Sequence, residues 1–416
     1  MHKNFQIVKG SSIYLYLIML LVLSTCKESG NIGAGFLNES SIETDTVFIS
    51  DLSLSKAVPY TGKLVNSPIG IFDDPLYGKL YSTGYFKPSI AKENLKIGDL
   101  SSDTKTILNL KIDINNIYGS QSTKGGYKVY RVGDLWRGSA FRMGDDLKIL
   151  KNIDDSLGLT EVGKFEFADI DTTGSVEFEL NGTWNSDFIR FYNTKTLNRD
   201  STYRNEDFGL VIIPDYEVDK IIYARFGSTK LTLISEVNED STTQIDTTNQ
   251  AMYDWAYNLD IEESSSLNNN INISNTFDPY IKLNLNPIVN QLSNNNFIRA
   301  EIVLVSDSTS MNATLNNDQK RTEDPPFRVQ LGPSSNIAYD LGFNNSNSKA
   351  IVSSGVYRFD ITGLLNANLF GETDLSEIYL YAGQNLGYLG FNTFYGLNSD
   401  LENVPKVILY NIVEED

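Results

Sequence analysis

The sequence predicts an all-β protein with two tandem β-sandwich domains that follow a secretory signal peptide. Many short stretches alternate apolar and polar residues, as half-buried strands do, and a few stretches of strand length are almost wholly apolar. Turns rich in Asn, Ser and Gly separate them, and the 23 Tyr and 21 Phe are typical of a secreted β protein. The same order of predicted strands occurs twice along the chain, which indicates two similar domains.

Ten predicted strands make up this repeat. The first five lie at 106–114, 127–132, 174–180, 208–214 and 230–234, and the second five at 298–304, 327–331, 355–361, 376–381 and 406–410. Short helical turns are predicted near 286–292 and 361–369. A single large irregular β domain is the alternative that stays open, because all amphipathic strands resemble one another.

The 416 residues divide into five predicted parts. These are a signal peptide at 1–25, a tether at 26–41, a first β-sandwich domain at 42–236, a polar linker or long loop at 237–276, and a second β-sandwich domain at 277–416. The linker is predicted because 236–276 is rich in Asn, Ser, Thr, Asp and Glu, as flexible connections are.

The first 25 residues are typical of a lipoprotein signal. Lys3 and Lys9 accompany an apolar run at 13–23, and Leu-Ser-Thr-Cys at 23–26 resembles the bacterial lipobox. The run is shorter than the about 20 residues of a spanning helix. We therefore expect cleavage before Cys26 and a lipid anchor on its sulfur, which places the protein at the outer membrane, with the cell surface favoured. A signal peptide cut elsewhere, or an uncleaved anchor, is the alternative.

The charge and the residue inventory exclude several function classes. The net charge of −19 argues against nucleic acid and against docking on anionic lipid. His2, the only histidine, lies within the predicted signal peptide, so the mature chain would lack Ser-His-Asp triads, Cys-His pairs and His-ligated zinc. With Cys26 as the only cysteine, the chain cannot form an internal disulfide.

Carboxylates remain as candidates for catalysis or metal binding. Glycoside hydrolysis needs two of them, but solvated turns and strand faces explain the candidate pairs, so we predict no enzyme. The pairs are Asp73 with Asp74, Asp145 with Asp146, Asp154 with Asp155, and Glu177 with Glu179. We expect no cofactor; a structural calcium ion at Asp169 and Asp171 stays open, since calcium binds carboxylate oxygens.

Three tryptophans are the candidate ligand-binding residues, namely Trp136, Trp184 and Trp255. An exposed aromatic ring can stack on the C–H face of a sugar, with hydrogen-bonding groups around it. Trp184 is the strongest candidate, because Asn-Gly-Thr-Trp-Asn at 181–185 is typical of a polar turn. The alternative for all three is a role as core anchor or loop clamp.

Two resemblances follow from particular segments. The segments 298–304, 357–362 and 404–410 resemble jelly-roll domains of disaggregatase type, which occur beside polysaccharide-degrading enzymes. The order of Cys26, Pro-Ile-Gly-Ile-Phe-Asp-Asp-Pro-Leu-Tyr-Gly at 68–78, and Phe-Gly-Leu-Val-Ile-Ile-Pro at 208–214 is similar to a Bacteroidota lipoprotein family, domain of unknown function 4270. The family implies an outer-membrane lipoprotein of β architecture and brings no established activity.

The sequence also carries a pattern that some Bacteroidota use for O-glycosylation of exported proteins, Asp-Ser/Thr followed by a small apolar residue or Thr. Seven hydroxyl residues match it, and the richness of β turns in Ser, Thr and Asp is the alternative explanation. They are Thr46, Ser156, Thr172, Ser201, Ser241, Thr247 and Ser308.

Three functions are compatible with these features. The leading hypothesis is a non-enzymatic, lipid-anchored adhesin or accessory subunit of an outer-membrane assembly, which binds a protein partner. The second is a glycan-binding lipoprotein in polysaccharide capture, and the third is a carboxylate-based glycoside hydrolase. A broad apolar patch would favour the first, exposed coplanar aromatic rings in a groove the second, and a cleft with paired carboxylates the third.

Overall fold

The fold was analysed in a computed structural model of the chain. The structure describes residues 40–50, 52–55, 59–90, 100–122, 124–145, 147, 161–195, 197–239, 242–262, 269–274, 280–284, 288–289, 297–313, 315–321, 328–332, 348–349, 351–370, 377–383 and 387–414. Cys26 and the predicted signal peptide lie outside these residues.

The described residues form 24 strands. The first twelve are β1 (Ser40–Phe48), β2 (Leu52–Ser55), β3 (Ser67–Asp74), β4 (Gly78–Pro88), β5 (Lys105–Lys111), β6 (Tyr118–Ser120), β7 (Gly126–Arg131), β8 (Glu161–Glu166), β9 (Ser175–Leu180), β10 (Leu210–Pro214), β11 (Lys220–Ala224) and β12 (Lys230–Glu239). The others are β13 (Thr242–Glu262), β14 (Asn270–Ser274), β15 (Tyr280–Asn284), β16 (Phe297–Val305), β17 (Gln319–Lys320), β18 (Arg328–Gly332), β19 (Ser348–Lys349), β20 (Ile351–Ser353), β21 (Val356–Asp360), β22 (Glu377–Gly383), β23 (Phe391–Tyr395) and β24 (Lys406–Glu414).

Helices are few and short. Among the described residues, the α-helices are α1 (Thr183–Asn193), α2 (Arg199–Glu206), α3 (Ser308–Ala313) and α4 (Thr362–Leu369), and single 3-10 turns lie at Gly138–Ala140, Phe167–Asp169 and Phe226–Ser228. Residues 288 and 289, within the helical turn predicted near 286–292, are helical as well. The predicted all-β class is therefore confirmed. Each of the ten strands predicted in the repeat overlaps an observed strand, and the helical turn predicted near 361–369 is α4.

The strands form one sheet of twelve strands, two of five and one of two. The large sheet has the order β17-β6-β11-β3-β4-β13-β12-β5-β9, with β10 joining β4 to β7, and β7 pairing β8. One core cluster lies on this sheet and includes α1 side chains such as Trp184 and Phe188. A second cluster is formed by both five-stranded sheets and the pair β14-β23.

The predicted linker at 237–276 is mostly strand, which corrects that prediction. The 21-residue strand β13 pairs with β12 at its start and with β4 from Met252 to Glu262. Its first half is polar, and residues 245–249 are exposed or half-buried where they pair with β12, whereas Ala256, Tyr257 and Leu259 in its second half are buried. From its polar composition alone, this inner strand of the large sheet could not be distinguished from a linker.

Strand pairing also crosses the predicted boundaries at 42 and 277. Strand β1 pairs with β24 through nine residue pairs, and β2 pairs with β15, so the chain up to Ser55 joins the C-terminal sheets. In the opposite direction, β17 adds an edge strand to the large sheet by pairing with β6. These pairings join residues far apart in sequence, and local turn signals could not reveal them.

The motif at 68–78 forms β3, a tight turn and the start of β4. Asp74 shapes the turn, because its Oδ1 accepts hydrogen bonds from the backbone N–H groups of Leu76 (2.8 Å) and Tyr77 (3.0 Å). The Tyr77 ring stacks on Phe391, 4.2 Å between centroids, and its hydroxyl lies 2.9 Å from that of Thr393. The motif therefore joins the large sheet to the C-terminal part of the chain.

Candidate ligand-binding site

Aromatic side chains cluster on one side of the large sheet, where Tyr85 and Phe141 are buried and Tyr81, Tyr130 and Trp136 are half-buried. Val211 on β10 pairs with Tyr85 on β4 and with Tyr130 on β7, so the three side chains share one side of the sheet. Tyr81 lies four residues before Tyr85 on the same strand and therefore points to the same side. We call Tyr81, Tyr85, Tyr130, Trp136 and Phe141 the aromatic face.

The loop that follows β7 supplies the last two of these residues. Trp136 donates a hydrogen bond from Nε1 to the carbonyl oxygen of Phe208 at 2.7 Å. Its ring meets those of Tyr85 and Phe141 edge-on, with centroids 6.0 and 5.7 Å apart. The loop crosses β13 at Gly138, where a Cβ atom would collide with the Asp254 carboxylate. These contacts fix the Trp136 ring in one orientation.

Beside Trp136 lies an open depression of about 380 Å³. Its floor is apolar, and the charged side chains of Arg137 and Asp145 stand at its rim, where they could hydrogen-bond a ligand. Leu135 is 56 % exposed although it is fully apolar. The depression is lined by Leu135, Trp136, Arg137, Ala140, Phe141, Asp145 and Leu147.

The tyrosines extend this surface beyond the depression. Burial, together with the neighbouring hydroxyls of Tyr216, Tyr85 and Tyr130, raises the pKa of Tyr81. Burial is also the main cause that raises the pKa of Tyr130. These hydroxyls stay protonated at neutral pH and can donate hydrogen bonds. Tyr216 is 98 % exposed, so aromatic area continues to the rim of the sheet.

The other two predicted tryptophans lie elsewhere. Trp184 is fully buried in α1 and stacks on Phe188, 5.1 Å between centroids, so its predicted role as a ligand platform is wrong. The segment 181–185 starts a helix whose apolar residues recur at helical spacing and pack into the core. Trp255 is half-buried and donates a hydrogen bond to the carbonyl of Leu64 at 2.8 Å, as a loop clamp does.

The described carboxylate candidates lie in turns or on exposed strand positions. Asp74 is buried in the turn described above, and Asp145 accepts a hydrogen bond from the backbone N–H of Arg142 at 2.8 Å. Glu177 and Glu179 are exposed on β9. The backbone N–H of Glu166 donates to Asp169. Asp146, Asp154 and Asp155 lie outside the described residues.

Asp171 shapes a turn, because its Oδ1 accepts bonds from Thr173 and from the N–H of Ser175. Within the described ranges, no group of three or more His, Cys, Asp or Glu residues could hold a metal ion. Calcium at Asp169 and Asp171 stays a prediction.

Five of the seven predicted glycosylation residues are exposed in the structure: Thr46, Thr172, Ser201, Thr247 and Ser308. Ser156 and Ser241 lie outside the described residues, as does Cys26. Among the described helices, none is long and apolar enough to cross a membrane. Both the modification and the anchor stay predictions.

A buried lysine adjoins the same sheet. Lys87 donates from Nζ to the carbonyl oxygens of Tyr203 (3.3 Å), Arg204 (3.2 Å) and Asp207, at the C-terminal end of α2. Burial lowers its pKa to about 8, although the charges of Asp207 and Asp254 act in the opposite direction. Its three N–H donors therefore cap a helix, and we assign it a structural role.

Sequence reasoning found Trp136 but missed Tyr81, Tyr85, Tyr130 and Phe141. The two-residue period of β4 and β7 could have placed the tyrosines on one side of their strands, whereas the long-range pairing of both strands with β10 could not be read from the sequence. No protein-family model matches this chain, and a search of curated proteins found no match.

Proposed function

We propose that this protein is a non-enzymatic, lipid-anchored outer-membrane protein that acts as an adhesin or accessory binding subunit, and that the aromatic face is its binding surface. The depression beside Trp136 is the observation that carries this proposal. In the same proposal, Cys26 bears the anchor, the chain belongs to the Bacteroidota lipoprotein family that it resembles, and its sheets form two tandem sandwiches of jelly-roll type.

The physical chemistry of the depression supports a protein partner. Tryptophan, tyrosine and arginine dominate the residues that carry binding energy at protein interfaces, and such residues sit in apolar depressions with a polar rim. Trp136 and Arg137 stand together here, and Leu135 offers exposed apolar area beside them. A partner that inserts one apolar side chain would cover the Leu135 side chain and the exposed part of the Trp136 ring.

The rigidity of the site supports the same proposal. The Trp136 ring is held by its bond to Phe208 and by two edge-on aromatic contacts. A ligand that binds a pre-formed ring pays less conformational entropy than one that must order a loop.

Glycan capture is the second candidate, and the rim of the depression favours it. A sugar ring could stack on Trp136 while Arg137 and Asp145 bind its hydroxyl groups. Tyr130 and Tyr81 would then provide further aromatic contacts along a chain of sugars. The depression offers one tryptophan ring, however, whereas stacked binding of a polysaccharide is stronger with several coplanar rings.

The test uses the native lipoprotein, solubilised from the envelope in detergent. Wild type, Trp136→Ala and the control Phe370→Ala are compared by affinity pull-down with mass spectrometry and on a glycan array. Phe370 is 79 % exposed and directly follows α4, whose side chains pack into the core cluster of the five-stranded sheets. We expect a protein partner that is retained by Phe370→Ala and lost by Trp136→Ala. If no protein co-purifies while the array gives saturable binding that Trp136→Ala abolishes, the glycan function replaces the first.

A further inference from the structure

A pair of arginines is fixed on the outer side of the five-stranded sheet β1-β24-β16-β21-β20. Arg299 on β16 pairs in register with Tyr410 on β24, and Arg358 on β21 pairs with Val303 on β16. Side chains that face each other across antiparallel strands lie on the same side of the sheet. The opposite side of this sheet packs into the core through Ala300, Ile302 and Leu304.

A buried glutamate holds both guanidinium groups. The Glu301 side chain is only 3 % exposed, and its two oxygens accept bonds from Arg299 and from Arg358, the latter at 3.1 Å. The Tyr410 hydroxyl donates to Glu301 Oε2 at 2.9 Å. A buried carboxylate needs such partners to offset its loss of hydration. Glu301 therefore fixes both arginines at one place on the sheet.

The arginines themselves remain open to solvent. Their side chains are 47 % and 40 % exposed, for Arg299 and Arg358 respectively. A guanidinium carries five N–H donors in a planar fork that matches a carboxylate. The bonds to Glu301 engage one nitrogen of each group, so most of these donors are left for a ligand.

Two other charged groups lie on this side, Lys406 and Asp360, and Asp360 is near enough to Arg299 for their charges to interact. Lys406 donates from Nζ to the carbonyl oxygen of Glu402 at 2.7 Å, and Asp360 accepts from the hydroxyl and the backbone N–H of Thr362. Three cationic groups on this side, Arg299, Arg358 and Lys406, against two carboxylates, Glu301 and Asp360, leave the patch with one net positive charge, in a chain whose net charge is −19. Charge complementarity therefore indicates an anionic ligand.

Apolar side chains lie in the same cross-strand row as Arg358. Register places Ile351 of β20 beside Arg358 at one end, and Phe48 of β1 beside Lys406 at the other. Ile351 is 61 % exposed and Phe48 is 46 % exposed. Arginine flanked by exposed apolar residues is typical of the energetically important part of a protein interface.

We propose that Arg299 and Arg358 form a receptor for a carboxylate of a protein partner, an acidic side chain that is presented between apolar residues. This site is separate from the aromatic face and does not depend on the function proposed for it. A peptide acid fits better than a polyuronate, because the flanking Ile351 and Phe48 would meet apolar side chains of a peptide.

The test selects short random peptides, displayed on phage, on the folded wild-type protein. Selected peptides are synthesised with their acidic residue and with the matching amide, and their dissociation constants are measured by calorimetry. We expect an acidic residue between apolar ones, and roughly tenfold or greater weakening when it becomes an amide. In Arg358→Gln, where Arg299 is the one guanidinium left at the site, the preference for the acid peptide should be clearly smaller than in wild type.

Two further variants separate recognition from folding. Arg358→Lys keeps the charge but loses the planar fork, so we expect it to lose most of the preference for the acid while the protein unfolds at a similar temperature. The control Arg190→Gln changes an arginine that is 58 % exposed on α1 and should bind like wild type. Trp136→Ala should also bind these peptides normally, which distinguishes this site from the aromatic face.

Three results of the peptide selection and binding experiments would overturn the proposal. They are selected peptides without acidic residues, an acid preference that is undiminished in Arg358→Gln, and an oligogalacturonate that competes with the peptides more strongly than they compete with one another. Self-association of the wild type that Arg358→Gln abolishes would also overturn it, because the occupant would then be a second copy of this chain.

Discussion

Arg321 binds Asp74 through two parallel hydrogen bonds across 247 residues of sequence. Its Nε lies 2.8 Å from Oδ2 and its Nη2 lies 2.7 Å from Oδ1 of the buried carboxylate. The Tyr118 hydroxyl donates to the same carboxylate at 2.6 Å. This network lies where β17 joins the large sheet, and it fixes the segment 315–321 to the motif at 68–78.

Arg321→Met is expected to lower the free energy of unfolding by about 3–5 kcal/mol, because it leaves the Asp74 carboxylate buried without its cation. Urea unfolding followed by circular dichroism measures this change. The double variant with Asp74→Asn should lose less than the sum of the two single variants, since the two side chains act as one unit.

Arg190→Met is the control for this pair. Arg190 and Asp187 form an exposed ion pair on α1 at 3.6 Å, and such pairs contribute under about 1 kcal/mol. Equal losses in Arg190→Met and Arg321→Met would contradict a structural role for the Asp74 network.

Asp113 forms a second junction of this kind, and it gives stability a pH dependence. Burial acts to raise the pKa of Asp113, but hydrogen bonds from Tyr388 and Asn116 and the charge of Arg225 lower it. A carboxyl whose pKa is depressed in the folded state stabilises the fold above its unfolded pKa, and that stability is lost as the pH falls through the folded pKa. Tyr388→Phe should therefore cost about 2 kcal/mol at pH 7 and clearly less at pH 3.

Urea unfolding at pH 7, 5 and 3 tests this expectation. Tyr216→Phe is the matched control, since Tyr216 is 98 % exposed and its loss should change stability at none of these pH values. A cost of Tyr388→Phe that is the same at pH 3 and pH 7 would show that the hydroxyl does not act through the charge of Asp113.

Lys87 should produce a rise in stability at alkaline pH. Burial lowers its folded pKa from 10.5 to about 8, so between these values the unfolded chain binds a proton that the folded chain has released. Stability rises with pH wherever the unfolded state binds more protons, here by about 2 kcal/mol from pH 8 to pH 10. Wild type should show this rise in the free energy of unfolding, and Lys87→Met should not.

The difference in unfolding free energy between wild type and Lys87→Met, measured from pH 7 to pH 10, isolates this effect from the titration of tyrosines. Lys87→Met itself is expected to be destabilised at pH 7, because the carbonyls at the end of α2 lose their donor. A difference that stays constant over this pH range would exclude Lys87 as the titrating group.

Features of the fold that depend on residues near in sequence could be predicted, and features that depend on residues far apart could not. Period-two alternation located strands such as β5 and β9, because alternation is set by the two faces of a single strand. Partner choice is not local, so the pairing of β1 with β24 and of β17 with β6 could not be predicted. The polar residues in the first half of β13 resembled those of a linker.

At the candidate site, too, contacts between residues far apart in sequence could not be predicted. Trp136 stood out in the sequence as a rare, bulky residue in a loop, but its neighbours Tyr85 and Phe141 meet it only through the fold. Trp184 was mistaken for a surface residue because Asn181 and Gly182 before it are typical of a turn. Gly182 in fact adopts a positive φ of 73° at the start of α1, after which four aromatic residues turn inward.

Substitutions of Trp184 distinguish a core residue from a binding residue. Trp184→Ala should lower the free energy of unfolding by about 3–5 kcal/mol, because it opens a cavity among Phe188 and its neighbours. Trp184→Phe should cost only about 1 kcal/mol, since the indole N–H has no hydrogen-bond partner among the described residues. Partner binding by Trp184→Phe should equal that of wild type, whereas Trp136→Ala should lose it while remaining folded. Loss of binding in Trp184→Phe without loss of stability would mean that α1, and not the aromatic face, meets the ligand.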